Sequence, residues 1–196
     1  MIIGITGSIG SGKTTVAKLF SKHHYNRIDA DEIAHGLIKK NSVIYKKIID
    51  DFGNKIMDKQ KNIDRKKLGN IVFNDEMKLK KLNPIMHLEI IKGVKNQTKK
   101  IQNKCGNNTK IIIDTPLLFE TRMEDFFDKI IVVKINKQKI IQRNKKFSKQ
   151  QIENILKNQM PLEEKIKKAD FVIDNSKDFK HLEKQVNQII RKIESQ

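Results

Sequence analysis

The chain reads as an α/β protein, with a mainly parallel five-stranded sheet, helices on both faces and a long helical insertion. Three observations predict this. Short apolar, β-branched runs alternate with segments of helical spacing; one stretch, from Glu32 to about Asn108, has helical spacing only; and the first apolar run leads straight into the glycine loop "GSIGSGKTT", residues 7 to 15. With 196 residues, the chain is long enough to bury a full core.

"MIIGIT" is a buried strand by composition, and "TTVAKLFSKHH" sets Val16, Leu19 and Phe20 at helical spacing behind the loop. "YNRIDADEIA" predicts a short strand ending near Asp29, then a helix opening around Asp31. The insertion carries the helical patterns "SVIYKKIIDDFG", "DRKKLGNIVF" and "MKLKKLNPIMHLEIIKGV", and "QNKCGNNTK" is expected to be the loop that closes it. Alternation then resumes. "KIIIDTPLLFE" is a strand running into Asp114, "DKIIVVKI" is another, and helices follow through about Lys168. "ADFVIDN" is the last strand, and residues 178 to 195 form an amphipathic terminal helix.

The loop matches G-x-x-x-x-G-K-[ST] through Gly7, Gly12, Lys13 and Thr14, between a strand and a helix as the motif requires. Gly7, Gly10 and Gly12 free the backbone, so that N–H groups from about Gly10 through Ser11 to Thr15 point inward at a polyphosphate, aided by the positive end of the next helix. Lys13 then reaches the β- and γ-phosphates, and the Thr14 hydroxyl is a ligand for the Mg²⁺ that bridges them. A glycine-rich turn with no ligand is the bland alternative.

Composition excludes other classes. The formal charge of +18 suggests nucleic acid, yet of 41 basic residues only Arg27, Arg65, Arg122, Arg143 and Arg191 are arginine, and the lysines are scattered. Phosphate and base readers favour the bidentate guanidinium. No specific nucleic-acid partner is expected. The apolar runs are too short to span a bilayer, the amino terminus enters the loop-bearing strand with no room for an export signal, and the single Cys105 fits a reducing compartment. The expectation is a cytoplasmic protein without a membrane partner, monomeric, with weak self-association left open.

In a parallel sheet, ligands gather beyond the carboxyl ends of the strands. Asp29, Asp31 and Asp114 all fall there. Asp114 suits the Mg²⁺ shell, directly or through water. Asp31 is either a helix cap or one of two catalytic carboxylates spaced i, i+2.

These residues carry a resemblance. "GITGSIGSGKTT", "IDADEIAH", "DRKKLGNIVF", "LNPIMHLEI", "DTPLLFE" and "NQMPLEEKIKKADFVIDN" stand in the order and approximate spacing of the dephospho-CoA kinases, over nearly the whole chain. The resemblance implies a P-loop kinase core of residues 1–31, 108–140 and 160–196, a helical acceptor domain of 32–107 and a short helical lid of 141–159. It implies transfer of the ATP γ-phosphoryl group to the ribose 3′-hydroxyl of dephospho-CoA. Asp31 is then the general base with Asp29 as its support, and Lys13 and Arg143 act on the transferring phosphate. Arg65, His87, Thr115, Pro116, Leu117 and Leu118 bind the acceptor, and Asn175 lies beside the adenine. Surface roles for Arg65 and His87, and core packing for the two leucines, are the alternatives. A nucleoside or nucleotide kinase of the same class is the competing reading, and a basic nucleic-acid-binding ATPase a more distant one.

Three departures stand out. Leu88 follows His87 where the family has proline, so the helix is expected to continue there. Arg122 replaces a glycine after "FE". The lid segment "QRNKKFS" keeps Arg143 but is about three residues shorter and lacks a second arginine, leaving Lys145 or Lys146 as substitutes.

Overall fold

The computed structural model describes residues 1–144 and 147–195. Five strands, β1 (Ile2–Gly7), β2 (Asn26–Asp29), β3 (Ile111–Asp114), β4 (Lys129–Lys134) and β5 (Phe171–Asp174), pair in parallel in the order β2-β3-β1-β4-β5. All four residues of β3 are buried, as are the last five of β1, which is why these strands read as unbroken apolar runs.

The helices are α1 (Lys13–Ser21), α2 (Ala30–Leu37), α3 (Val43–Phe52), α4 (Arg65–Val72), α5 (Glu76–Cys105), α6 (Lys137–Arg143), α7 (Lys149–Lys157), α8 (Leu162–Lys167) and α9 (Phe179–Glu194). Val16, Leu19 and Phe20 of α1 and Leu182, Val186 and Ile190 of α9 cover one side of the sheet, against Ile3, Ile5, Ile131 and Ile173. A second cluster joins Leu118, Phe119, Ile130 and Val132 to Leu162 and Ile166 of α8. Among the described residues, no helix is long and apolar enough to cross a membrane.

The chain divides into two compact units, residues 1–29 with 97–196, and residues 30–96. The second is helical, with a core of its own built from Ile44, Ile48, Phe52, Ile56, Leu68 and Val72. Its boundary differs from the expected insertion of 32–107. The reason is α5, which runs without a break from Glu76 to Cys105, so that the unit ends within a helix. The expected loop "QNKCGNNTK" is accordingly helical up to Cys105, and the turn is made at Gly106, where φ is +90°. The helix also continues through Leu88, and it accommodates Pro84, which has no N–H to give to the ladder.

Local chemistry fixes the helix starts. Asp64 caps α4 by accepting from the backbone N–H groups of Lys66 and Lys67, Asp178 caps α9, and Ser148 and Gln151 form a reciprocal capping box on α7. Arg122 adopts φ +53°, so the turn after "FE" keeps a glycine-like backbone without the glycine.

Candidate active site

The loop between β1 and α1 is shaped by close approaches. At Gly7, a Cβ would lie 2.2 Å from the Val133 carbonyl oxygen; at Gly12, where φ is +91°, it would meet Asn175 Nδ2 at 2.2 Å. Neither position has room for a side chain. Lys13, the first residue of α1, is buried, and its Nζ donates to the carbonyls of Gly7 and Ser8 at 3.1 and 3.0 Å, which holds the ammonium across the loop. Thr14 Oγ1 donates to Asp114 Oδ2 at 2.6 Å, joining the start of α1 to the end of β3.

Further elements close around the loop. Asn175 follows β5 and is buried; its backbone N–H donates to Lys134 O, and its Nδ2 donates to Ser11 O at 2.7 Å. Arg143, the last residue of α6, donates to the Asn175 carbonyl at 3.4 Å, and Asn144 lies against Gly10. Ile9 of the loop packs on the cluster of Ile135, Ile140 and Ile152 that ties α6 to α7. The sheet therefore brings Lys13, Thr14, Asp114, Arg143 and Asn175 to one edge of this unit. Lys145 and Lys146 lie outside the described residues.

Register explains the carboxylates. Asp29 ends β2 and sits opposite Asp114 of β3; its carboxylate is ion-paired with Arg27, two residues back and so on the same strand face. Asp31 is exposed within the first turn of α2, behind Ala30, rather than ahead of the helix as a cap would be. Asp174, at the end of β5, has its backbone N–H and C=O both bound by the Gln185 side chain. Burial pushes the Asp174 carboxyl upward, but hydrogen bonds from Ser176 and the nearby Lys134 ammonium outweigh it and hold the group below its ordinary value.

The segment after β3 splits in two. The Thr115 N–H donates to Ile5 O, and the Pro116 carbonyl accepts from Thr6 Oγ1 at 3.0 Å. Pro116 and Leu117 are partly exposed. Leu118 is completely buried in a core cluster, so an acceptor-lining role for its side chain is not compatible with the structure; the backbone turns it inward to pack on Ile130 and Val132.

Arg65 opens α4 and is exposed, lining a cavity of about 430 Å³ with His35, Ile38, Lys39, Lys40, Asn62 and Ile63. His87, partly exposed in mid-α5, is not among the residues lining that cavity.

Among the described residues, no group of three or more His, Cys, Asp or Glu is placed to hold a metal. Thr14 Oγ1 and Asp114 Oδ2 are the two hard oxygens brought together beside the loop. Sequence reasoning missed Gln185, and it missed the buried ion pair of Lys165 with Glu120 at 2.8 Å. The pair lies inside two of the quoted motifs, but a lysine and a glutamate 45 positions apart give no local sign that they meet.

Comparison with known proteins agrees with this geometry. The family model for dephospho-CoA kinase matches residues 1–181. The chain is 44% identical to a dephospho-CoA kinase of Fusobacterium nucleatum, over 98% of each chain, and 39% identical to one of Aquifex aeolicus, over 97% of this chain and 96% of that one. Among solved structures, a Campylobacter jejuni dephospho-CoA kinase superposes with a TM-score of 0.70 at 32% identity, covering 98% of this chain and 96% of that one. A Thermus thermophilus protein gives 0.77 at 27% identity, covering 98% and 97%. A Bacteroides thetaiotaomicron shikimate kinase, at a TM-score of 0.55 and 12% identity with 99% and 98% covered, shares the fold alone. With its phosphate loop, its all-parallel sheet and relatives matched end to end, the chain belongs to the dephospho-CoA kinase family of P-loop kinases.

Proposed function

We propose that the protein transfers the γ-phosphoryl group of ATP to the ribose 3′-hydroxyl of dephospho-CoA, giving coenzyme A and ADP. The observation that carries the reading is the Thr14–Asp114 hydrogen bond at the mouth of a loop spanned by the Lys13 ammonium. That arrangement is suited to a Mg²⁺-nucleotide and to little else. In the reaction, the 3′-oxygen bonds to the γ-phosphorus, the bond to the β,γ-bridging oxygen breaks, and the hydroxyl proton passes to the Asp31 carboxylate. Lys13 and the loop amides offset charge on the phosphates, and Arg143 approaches the transferring group. Asp29 supports the base. Arg65, His87, Thr115, Pro116 and Leu117 hold the acceptor, and Asn175 borders the nucleotide. A Mg²⁺ ion, when bound, neutralises phosphate charge, and Thr14 and Asp114 are the residues that would hold it, Asp114 directly or through water.

We take the enzyme as cytoplasmic and monomeric; its single Cys105, exposed at the end of α5, fits a reducing compartment. The test is ADP release measured with dephospho-CoA against a panel of nucleosides, nucleoside monophosphates, RNA and DNA. Dephospho-CoA should give the highest kcat/KM. A nucleoside or nucleotide that outruns it, or turnover that rises only with nucleic acid, overturns the assignment.

A further inference from the structure

Lys165 is 1% exposed, although it sits on the short helix α8, "LEEKIK", four of whose six residues are charged. Burying an ammonium is costly unless it is paired and fully bonded. The structure gives it two partners. Its Nζ reaches Glu120 Oε1 at 2.8 Å and donates to the Pro116 carbonyl at 3.3 Å. The same Glu120 oxygen accepts the backbone N–H of Met160 at 2.9 Å, and Glu120 Oε2 is buried with no hydrogen-bond partner among the described residues. The Pro116 carbonyl also accepts from Thr6 Oγ1 at 3.0 Å.

One buried charge pair therefore grips residues 116–120 at both ends. At the near end is Pro116, two residues after Asp114, which bonds Thr14; at the far end is Glu120, which also anchors Met160 at the exit of the α7–α8 connection. Between them, Leu118 and Phe119 are fixed in the core, and Pro116 and Leu117 are left partly open. A purely structural tether of this size is achievable with apolar residues at no loss of stability. What a lysine adds is a directional hold on one backbone carbonyl.

We propose that Lys165 and Glu120 are positioning residues for the acceptor: by fixing the Pro116 carbonyl and the Met160 amide they set the conformation of residues 116–117, and through it the affinity for dephospho-CoA. The inference rests on the reading that Pro116 and Leu117 face the acceptor. Geometry matters at this level, because a displacement of about 1 Å in a group that orients a substrate is enough to cost a large factor in rate.

The experiment uses the full-length protein with Lys165→Met, Glu120→Gln and the double variant, and with Leu117→Ala as a probe of the loop. Each single change leaves an uncompensated buried group and is expected to lower the melting temperature; the double variant removes both charges together and should melt close to the wild type. In that folded double variant, KM for dephospho-CoA should rise by about 10-fold or more, with KM for ATP within about twofold of the wild type. Glu120→Asp, which keeps the charge but shortens the reach, should fall between the two. If the double variant recovers wild-type KM for dephospho-CoA along with its stability, the pair is structural only and the proposal is overturned. Leu117→Ala separates the two levels. A rise in KM for dephospho-CoA in Leu117→Ala, with none in the double variant, sinks the positioning role alone; no change in either shows that the loop does not face the acceptor, and both readings fall.

Discussion

Thr14 and Asp114, 100 positions apart in sequence, meet through a single 2.6 Å hydrogen bond that couples the first turn of α1 to the end of β3. In the proposed reaction these two hard oxygens are the protein's share of the Mg²⁺ shell, the rest being phosphate. Thr14→Val removes one oxygen and leaves Asp114 without that donor, whereas Asp114→Asn keeps a hydrogen-bond acceptor but removes the charge. Both should raise the Mg²⁺ concentration for half-maximal turnover, by roughly 10- to 100-fold as for the loss of a metal-supporting residue. A titration of Mg²⁺ against turnover reads this directly. An unchanged Mg²⁺ midpoint in both variants removes these residues from the metal site.

Asp31 behaves differently if it takes the proton. Asp31→Asn keeps shape and a hydrogen-bonding oxygen but not basicity, so kcat should fall by about 10² to 10⁴ with KM for ATP little changed. The loose transition state of phosphoryl transfer, in which proton removal comes late, favours the lower end of that range. Excess Mg²⁺ should restore nothing. Recovery at high Mg²⁺ reassigns Asp31 to the metal shell.

Tyr25 supplies a pH-dependent stability. Burial at 2% exposure, followed by the negative charge of Glu194, pushes its phenol from 10.0 up to about 12. Below pH 10 the phenol is neutral in both the folded and the unfolded chain. As pH climbs from 10 towards 12, only the unfolded chain ionises, so stability is lost across that window, on the order of 2 kcal/mol by its upper end at 1.36 kcal/mol per unit. The Tyr25 hydroxyl is buried with no hydrogen-bond partner among the described residues, and the edge-on contact with Phe20 and the Lys110 ammonium near its ring need only the ring. Tyr25→Phe should therefore match or slightly exceed wild-type stability at pH 8 and lose less between pH 10 and 12. Urea unfolding at pH 8, 10 and 11 checks it, and parallel curves for the two proteins count against it.

Arg122 holds a left-handed backbone with its side chain exposed, so Arg122→Gly gives up little contact. The strain relieved is about 1–2 kcal/mol, set against roughly 0.5–1 kcal/mol of extra unfolded-chain entropy. A net gain of about 0.5–1 kcal/mol in denaturant unfolding is expected, with activity unchanged. A lower midpoint would show that the Arg122 side chain makes a stabilising contribution of its own.

The strands and the phosphate loop were legible because their signals are local. β1, β3 and β4 are unbroken apolar runs, and Gly7, Gly12, Lys13 and Thr14 have a spacing that few other structures need. Asp114 could be read from its place at a strand end. What the sequence hid was partnership across distance. Leu117 and Leu118 are identical letters, and only the path of the backbone decides that Leu118 enters the core while Leu117 stays partly open. Lys165 looks like any of the scattered surface lysines until Glu120 is seen against it. The end of the helical unit is hidden for a related reason: α5 carries one continuous helical pattern across the boundary between the two units, so periodicity contains no mark of where one ends.

β1 is the central strand of the sheet, and both of its neighbours come late: Ile2 pairs with Ile111, and Ile3 with Lys129. The strand that leads into the phosphate loop is therefore made well before either of its partners. Closing so long a loop is paid in entropy before any pairing rewards it. The helical unit of residues 30–96, which lies between β1 and its partners in sequence, has a core of its own. The sheet edge that bears Lys13, Thr14, Asp114 and Asn175 therefore depends on β3, β4 and β5 pairing around a strand made well before them. Any nascent chain released before β3 carries an intact motif and no site.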